Sequence, residues 1–320
     1  MAEIGTKIET RVAYGEALAE LGAMNDKIVV MDADLSGSTK TALFKKAFPD
    51  RFFNTGIAEG NMAGVAAGLA AAGQTVIISS FAMFAAGRAF EQIRNSICYP
   101  RLNVKICATH AGITVGQDGG SHQCLEDLAI MRVIPGMTVI NPADAVEARL
   151  ALFAAAELSG PVYLRFGRGA VPVIFDEKTY RFEIGKGVTL KEGNDVTLIG
   201  TGITVDLSLK AADILKNEGI DARVINIATV KPIDRAILLT ASAETGAIVT
   251  SEEHNVIGGL GSAVCEVLSE EAPCVVERVG VNDSFGRSGA PADLLSFYHL
   301  TPEAIAEKAK TAMRKAGKKV

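Results

Sequence analysis

Apolar and polar positions alternate along this chain in blocks of strand length and helix length. Short apolar runs such as Ile28–Met31 and Val104–Ala108 have the length of buried strands. Between such runs lie segments with helical spacing or composition, for example Arg11–Ala23 and the small-residue segment Asn61–Ala72. This alternation predicts an α/β fold with a mostly parallel sheet covered by helices on both faces.

The alternation stops between about residues 173 and 193, where charged residues become frequent and the helical spacing is lost. It resumes with the strand Val196–Ile199 and the helix Thr204–Asn217. We therefore expect two consecutive α/β domains, residues 1–175 and 193–320, joined by a linker over residues 176–192.

Composition and charge narrow the class of protein. Hydrophobic residues make up 48% of the chain and charged residues 22%, which is enough for a large buried core. A net charge of -5 without a basic stretch argues against nucleic-acid binding, and no apolar run is long enough to span a bilayer. Five scattered cysteines without a CxxC pair fit a reducing compartment, and no signal peptide is recognisable. We expect a cytoplasmic protein.

A polar loop, THAGITVGQDGGSHQ at residues 109–123, follows the predicted strand Val104–Ala108. It contains His110, Asp118 and His122, separated by glycines and small residues. Ligands of open parallel sheets bind at the carboxyl ends of the strands, so these side chains could converge on one polar molecule. The alternative is a surface turn with incidental histidines.

A glutamate and two phenylalanines form the second candidate group. Glu59 has apolar or very small neighbours and precedes the alanine-rich helix, so its carboxyl group could be buried and exchange a proton with a ring nitrogen. It could equally stabilise the helix N-terminus. Phe81 and Phe84 follow the strand Thr75–Ser79 and could stack on a heteroaromatic ring, although such residues are more often part of the core.

Arginines supply candidate anion contacts. Arg11, Arg165 and Arg168 could each bind an anion through the guanidinium group, and Arg165 follows the strand Val162–Leu164 at the same sheet edge as the loop. Arg11 could instead be solvated. Asp34 and Ser38 end the first strand and could cap a helix. We find no metal site of conventional ligand spacing.

Four motifs together resemble the C-terminal half of transketolase. They are ADLSGS at 33–38, FFNTGIAEGNMAG at 52–64, SSFAMFAAGR at 79–88 and the polar loop at 109–123. The resemblance covers essentially the whole chain. It implies a parallel-sheet pyrimidine-binding domain for thiamine diphosphate, followed by a smaller α/β C-terminal domain.

The resemblance also implies roles in cofactor binding. Glu59 matches the glutamate that contacts N1′ of the thiamine aminopyrimidine, and Phe84 matches the aromatic residue that stacks on that ring, with Phe81 beside it. Asp34 matches an acid near the cofactor. The family transfers a two-carbon ketol unit from a ketose phosphate to an aldose phosphate, using the cofactor as electron sink.

Substrate contacts follow from the same resemblance. Asp118 matches a residue that recognises a sugar hydroxyl, and His122 one that contacts the C1 hydroxyl. The implied catalytic residues are Glu59, His122 and His110. The residues that match the sugar-phosphate contacts of the family are Arg11, Ser38, His110 and Arg165.

The chain lacks the GDG motif that binds the diphosphate and Mg²⁺ in this family. We therefore expect a separate N-terminal transketolase subunit to hold both, most plainly in an α2β2 heterotetramer. The isolated chain should then be inactive.

Departures from the family pattern fall in the polar loop and leave the identity of the sugars open. They are Ala111, Gln117, Gly120, Ser121 and Cys124. Alternative functions are the β subunit of a 2-oxoacid dehydrogenase E1 component, a deoxyxylulose-phosphate-synthase-like enzyme and a non-catalytic assembly module. The polar loop favours transketolase over the 2-oxoacid dehydrogenase subunit. A deoxyxylulose-phosphate synthase differs because its single long chain contains its own diphosphate site. The presence of Glu59 beside the polar loop residues argues against a non-catalytic assembly module.

Overall fold

The computed structural model describes residues 3–320 as strands and helices in almost regular alternation. The strands are β1 (Lys7–Glu9), β2 (Ile28–Asp32), β3 (Phe52–Asn54), β4 (Thr75–Phe81), β5 (Val104–Thr109), β6 (Thr138–Ile140), β7 (Val162–Arg165), β8 (Ala170–Pro172), β9 (Val188–Lys191), β10 (Val196–Gly200), β11 (Ala222–Asn226), β12 (Thr229–Lys231), β13 (Ala247–Asn255) and β14 (Val275–Val281).

Helices connect most of these strands. They are α1 (Thr10–Met24), α2 (Ser36–Thr39), α3 (Ala42–Ala47), α4 (Glu59–Ala71), α5 (Phe90–Gln92), α6 (Asp127–Arg132), α7 (Ala145–Glu157), α8 (Thr204–Asn217), α9 (Arg235–Thr245), α10 (Leu260–Glu271), α11 (Pro291–Phe297) and α12 (Pro302–Lys315). Within residues 3–320, no helix combines the length and the apolar character that crossing a bilayer requires.

Two parallel-type sheets confirm the predicted α/β fold. The larger has the order β12-β6-β7-β5-β4-β2-β3, with only β12 antiparallel to its neighbour. The smaller has the order β14-β13-β10-β11-β9, with only β9 antiparallel. β1 and β8 form a separate two-stranded ribbon.

Small side chains bring α4 close to the larger sheet. Its inward face consists largely of Ala63, Ala66, Ala67 and Ala70, which pack with residues of β4 and β5 in one core cluster. The opposite face of the sheet is covered by α1, α3 and α7. Because α4 begins at Glu59, this packing places the glutamate at the carboxyl edge of the sheet.

Two helical segments are irregular. The segment 83–98 contains two π-helical turns, Met83–Arg88 and Ile93–Cys98, on either side of α5. The segment 36–47 is interrupted at Lys40, whose φ of 71° ends α2 before α3 begins. A π-helical turn widens the backbone spiral, and such turns occur frequently at functional sites.

The segment between the two sheets also contributes to the fold. β9, which lies in the predicted linker, pairs with β11 of the smaller sheet, and β12 from the second half extends the larger sheet by pairing with β6. The two halves are therefore interlocked. The domain limits 1–175 and 193–320 stay a prediction.

A buried carboxyl group joins three parts of the chain. Glu147 on α7 accepts hydrogen bonds from the Tyr180 hydroxyl at 2.5 Å, the Asn226 side chain at 2.7 Å and the Ala143 amide at 2.7 Å. Burial raises the pKa of Glu147 to about 7. Tyr180 lies in the predicted linker and Asn226 ends β11, so this group links the larger sheet to the second half.

We predict that Glu147 makes the protein less stable as the pH rises. Between its ordinary pKa of 4.5 and the folded value of about 7, the folded protein holds a proton that the unfolded chain has lost. Stability from this group is thus present below pH 4.5 and declines through that window, by roughly 3 kcal/mol. Urea unfolding at several pH values should show this decline for the wild type and a flatter profile for Glu147→Gln.

The matched control is Glu16→Gln, which changes an exposed glutamate on α1. Its pH profile should parallel that of the wild type. Parallel profiles for the wild type and Glu147→Gln would show that Glu147 keeps no proton in the folded protein.

Candidate active site

Four aromatic rings meet at the carboxyl ends of β4 and β5. Phe81 ends β4 opposite Thr109 of β5, and its ring stacks on His110 with a centroid distance of 3.8 Å. The ring centroids of Phe81 and Phe84 are 5.9 Å apart, and those of Phe84 and His122 are 5.3 Å apart in an edge-to-face arrangement. Residues that the sequence analysis identified in two separate motifs therefore form one cluster.

Glu59 borders this cluster and is almost fully buried, with 1% of its surface exposed. It occupies the first turn of α4, but its side chain is directed towards the sheet. The Arg88 guanidinium donates to Glu59 Oε2 at 2.9 Å, and the Ser80 hydroxyl donates to Oε1 at 3.4 Å. The burial of Glu59 agrees with the expectation from its apolar neighbours in the sequence, whereas its ion pair with Arg88 was not predicted.

His110 is held as a neutral ring. Burial, followed by the nearby cations, lowers the pKa of His110 to about 3. Arg11 Nη1 lies 3.4 Å from His110 Nε2 and can only donate, so Nε2 accepts and Nδ1 donates to the Thr109 hydroxyl at 2.9 Å. In order of effect, the charges that add to burial are those of Arg11, Arg168, His122 and Lys40.

Arg11 is fixed by two further contacts. It donates to the backbone carbonyl of Ser38 at 2.9 Å and pairs with Glu9 at 2.8 Å. Only 14% of its side chain is exposed. Arg11 and Ser38 are thus neighbours, as the candidate anion site requires, and the solvated alternative for Arg11 does not hold.

Asp118 lies at the outer part of the site. Its carboxylate is 3.7 Å from Arg168, and more than a third of each side chain is exposed. Arg168 also donates to the carbonyl of Val115. Asp118 and Arg168 can therefore reach a ligand in the open part of the cleft.

Asp34 is exposed on the turn after β2. Its φ of 66° lies in the left-handed region, and the Asn54 side chain stabilises this turn by accepting from the Asp34 amide and donating to its carboxylate, both at 3.0 Å. Asn54 ends β3, next to β2 in the sheet. The Asp34 carboxylate is therefore oriented at the sheet edge.

The second half of the chain holds the polar loop in place. The Thr114 amide donates to the Glu253 carboxylate at 2.7 Å, and the Gln123 side chain donates to the carbonyl of Arg287 at 2.9 Å. The Ser288 hydroxyl donates to the carbonyl of Gln117 at 2.7 Å. The shape of the loop thus depends on both domains.

The prediction for Arg165 as a phosphate contact is corrected by the structure. Arg165 is 3% exposed, and its guanidinium donates to Asp127 at 2.8 Å and to the carbonyls of Glu253 at 2.9 Å and Cys124 at 3.4 Å. Although burial alone would raise the pKa of Asp127, the charge of Arg165 lowers it. Strand alternation points Arg165 into the interior, whereas Arg168 lies beyond the strand at the cleft.

Two basic residues at the site were outside the predicted set. Arg88 contacts Glu59, and the charge of Lys40 reaches His110. Lys40 lies two residues after the ADLSGS motif, in the left-handed backbone conformation that ends α2. For residues 3–320, no group of three His, Cys, Asp or Glu side chains is placed to hold a metal ion.

Family models and known relatives match nearly the whole chain. Residues 6–173 match the transketolase pyrimidine-binding domain, and residues 185–305 match the transketolase C-terminal domain. The solved structure described as a split gene transketolase, inactive beta4 tetramer, is 58% identical with a TM-score of 0.90, covering 96% of this chain and 99% of its own.

Two curated relatives differ in length. The 6-deoxy-6-sulfo-D-fructose transketolase subunit SqwH of Clostridium sp. is 43% identical over 93% of this chain and 92% of its own length. The transketolase of Homo sapiens is 40% identical over 98% of this chain, which spans only 50% of the human protein. The chain is therefore similar to SqwH over most of both lengths and spans about half the length of the human transketolase.

We predict that His110 stays neutral across the working pH range. With a pKa of about 3, its ring resonances should not shift between about pH 5.5 and pH 8. NMR titration of the labelled protein measures this, and His110→Gln assigns the resonance. A titration midpoint near 6.5, the value of an unperturbed histidine, would contradict the predicted effect of burial and the neighbouring cations.

We also predict that the buried ion pair between Arg165 and Asp127 is required for the stability of the folded protein. Arg165→Met leaves the Asp127 carboxylate buried without its cation and should lower the free energy of unfolding by about 3–5 kcal/mol. Arg149→Met is the control, because Arg149 forms a more exposed pair with Glu20 and its loss should cost less than about 1 kcal/mol. Equal losses in urea unfolding would refute a special role for the buried pair.

Proposed function

Because the chain belongs to the transketolase family, we propose that it is the C-terminal subunit of a thiamine-diphosphate-dependent transketolase. In this proposal it transfers a two-carbon ketol unit from a ketose phosphate to an aldose phosphate. The observation that supports it most directly is the convergence of Glu59, Phe84, His110 and His122 at one sheet edge.

The side chains of Glu59 and Phe84 fit the pyrimidine ring of the cofactor. A buried carboxyl group can exchange a proton with a ring nitrogen, and the partly exposed face of Phe84 can stack on a flat heterocycle. When bound, thiamine diphosphate supplies a nucleophilic carbon and an electron sink. Glu59 would hold the ring in its reactive orientation and accept or return the proton at the ring nitrogen.

The residues around His110 fit a sugar phosphate. The neutral imidazole of His110 has an acceptor at Nε2, which Arg11 contacts only at 3.4 Å, and this suits His110 for accepting from a sugar hydroxyl group rather than for charge neutralisation. Arg11 and Arg168 would supply the positive charge for the phosphate, and Ser38, whose backbone carbonyl accepts from Arg11, would add its hydroxyl. Asp118 and His122 would orient the hydroxyl groups near the bond that breaks.

We further propose that an N-terminal subunit completes the site. The chain spans half of the human transketolase, lacks GDG and resembles a split gene transketolase whose β4 tetramer is described as inactive. The partner would hold the diphosphate and Mg²⁺, and the active assembly would be α2β2. The five free cysteines fit a reducing compartment, and we propose the cytoplasm.

Activity of the reconstituted enzyme tests this proposal. The chain alone should show no ketol transfer, and adding a subunit with the missing half, thiamine diphosphate and Mg²⁺ should produce aldose phosphate from a ketose phosphate. Glu59→Gln should lower kcat by about 10²–10⁴-fold, the usual contribution of general acid–base catalysis.

The control variant is Glu91→Gln, which changes an exposed glutamate on α5 and should leave kcat unchanged. Full activity of the Glu59 variant, or turnover by the chain alone, would refute the proposal. Turnover of a 2-oxoacid with a lipoyl acceptor, and none with sugar phosphates, would favour the dehydrogenase alternative.

A further inference from the structure

Arg88 makes two contacts of the kind that the pyrimidine ring requires. Its Nη1 atom donates to Glu59 Oε2 at 2.9 Å, and its Cζ atom lies 4.6 Å from the centroid of the Phe84 ring. These two groups, the Glu59 carboxylate and the face of the Phe84 ring, are the ones that would bind the pyrimidine ring in the proposed function. A guanidinium is itself flat and carries N–H donors in its plane, so it matches the recognition features of an aminopyrimidine.

We propose that Arg88 competes with the pyrimidine ring of thiamine diphosphate for Glu59 and Phe84, and leaves these two side chains when the cofactor binds. This inference rests on the proposed function, because it needs the heterocycle to use Glu59 and Phe84. A buried carboxylate without a partner is strongly unfavourable, and Arg88 satisfies Glu59 until the cofactor does so. Arg88 would then control how fast and how tightly the cofactor binds.

The exposure of the two partners fits this exchange. Glu59 is fixed in the core with 1% of its side chain exposed, whereas 51% of the Arg88 side chain is exposed. Arg88 can therefore move outward into solvent without repacking the core, once the cofactor takes over the contact with Glu59. The ion pair has one exposed partner and is correspondingly weak, so a cofactor that binds Glu59 can displace it.

The local backbone supports the same role. Arg88 ends the π-helical turn Met83–Arg88, and the next residue, Ala89, leaves helical geometry with φ -98° and ψ 15°. The turn places Arg88 over Phe84 on the same side of the segment. The position of the guanidinium thus follows from a helical irregularity at the site.

Cofactor binding to the assembled enzyme tests the inference. With both subunits and Mg²⁺ present, Arg88→Met should lower the Kd for thiamine diphosphate by about tenfold and raise its association rate constant, because it removes a weak competing ion pair and cation–π contact. Titration calorimetry and stopped-flow circular dichroism measure the two quantities. Arg94→Met, which changes an exposed arginine on the following π-helical turn, should leave both unchanged.

The outcomes separate this inference from the proposed function. If the wild-type assembly does not bind thiamine diphosphate, the proposed function fails. If the wild type binds and Arg88→Met binds equally or more weakly, Arg88 does not compete with the cofactor and the inference is overturned.

A measurement on the wild-type side chain covers the case in which Arg88→Met does not fold. The Arg88 Nε–H resonance of the labelled chain, assigned with Arg88→Lys, should move to the position of a solvent-exposed arginine when thiamine diphosphate is added to the assembly. The Arg94 resonance should not move. An Arg88 resonance that keeps its shift and its hydrogen-exchange rate on saturation would also overturn the inference.

Discussion

The buried Arg165 guanidinium is one of the contacts that tie the two halves of this protein together, and it is the one that lies directly behind the polar loop. It lies at the end of β7, pairs with Asp127 on α6 and donates to the carbonyls of Cys124 and Glu253. Cys124 follows the polar loop, and Glu253 belongs to β13 of the smaller sheet. The Glu253 carboxylate in turn accepts from Thr114 inside the loop. This buried cation therefore contacts the larger sheet, the end of the loop and the second domain at once.

The site combines two different chemical environments at the carboxyl edge of the larger sheet. On one side, Glu59 and Phe84 offer a buried carboxyl group and an aromatic face, which suit a heterocycle. On the other, Arg11 and Arg168 surround a neutral His110 with positive charge, which suits a phosphorylated sugar. Phe81 lies between these two environments: its ring stacks on Phe84 and on His110, with a centroid distance of 3.8 Å to His110. The parallel sheet makes this possible because the carboxyl ends of β4 and β5 lie side by side.

The alternation of apolar and polar segments was sufficient to predict the α/β fold, because both sheets are nearly all parallel and their strands are buried. The histidine loop and Glu59 were also predicted, since each directly follows or precedes an element that ends at the same edge. The sequence did not show which of Arg165 and Arg168 is buried and which is exposed at the site. The two residues are only three positions apart, yet Arg165 is 3% exposed and the Arg168 side chain is 37% exposed. The contact of Arg88 with Glu59 depends on a π-helical turn that no spacing rule indicated.

The central claim is that Glu59 and Phe84 bind the pyrimidine ring of thiamine diphosphate. The most direct measurement is a crystal structure of this chain assembled with its N-terminal subunit and the cofactor. We predict a hydrogen bond between the Glu59 carboxyl group and a pyrimidine ring nitrogen, with the ring stacked on Phe84. A structure in which the assembled enzyme binds the pyrimidine ring elsewhere, with Glu59 in no contact with it, would contradict this account.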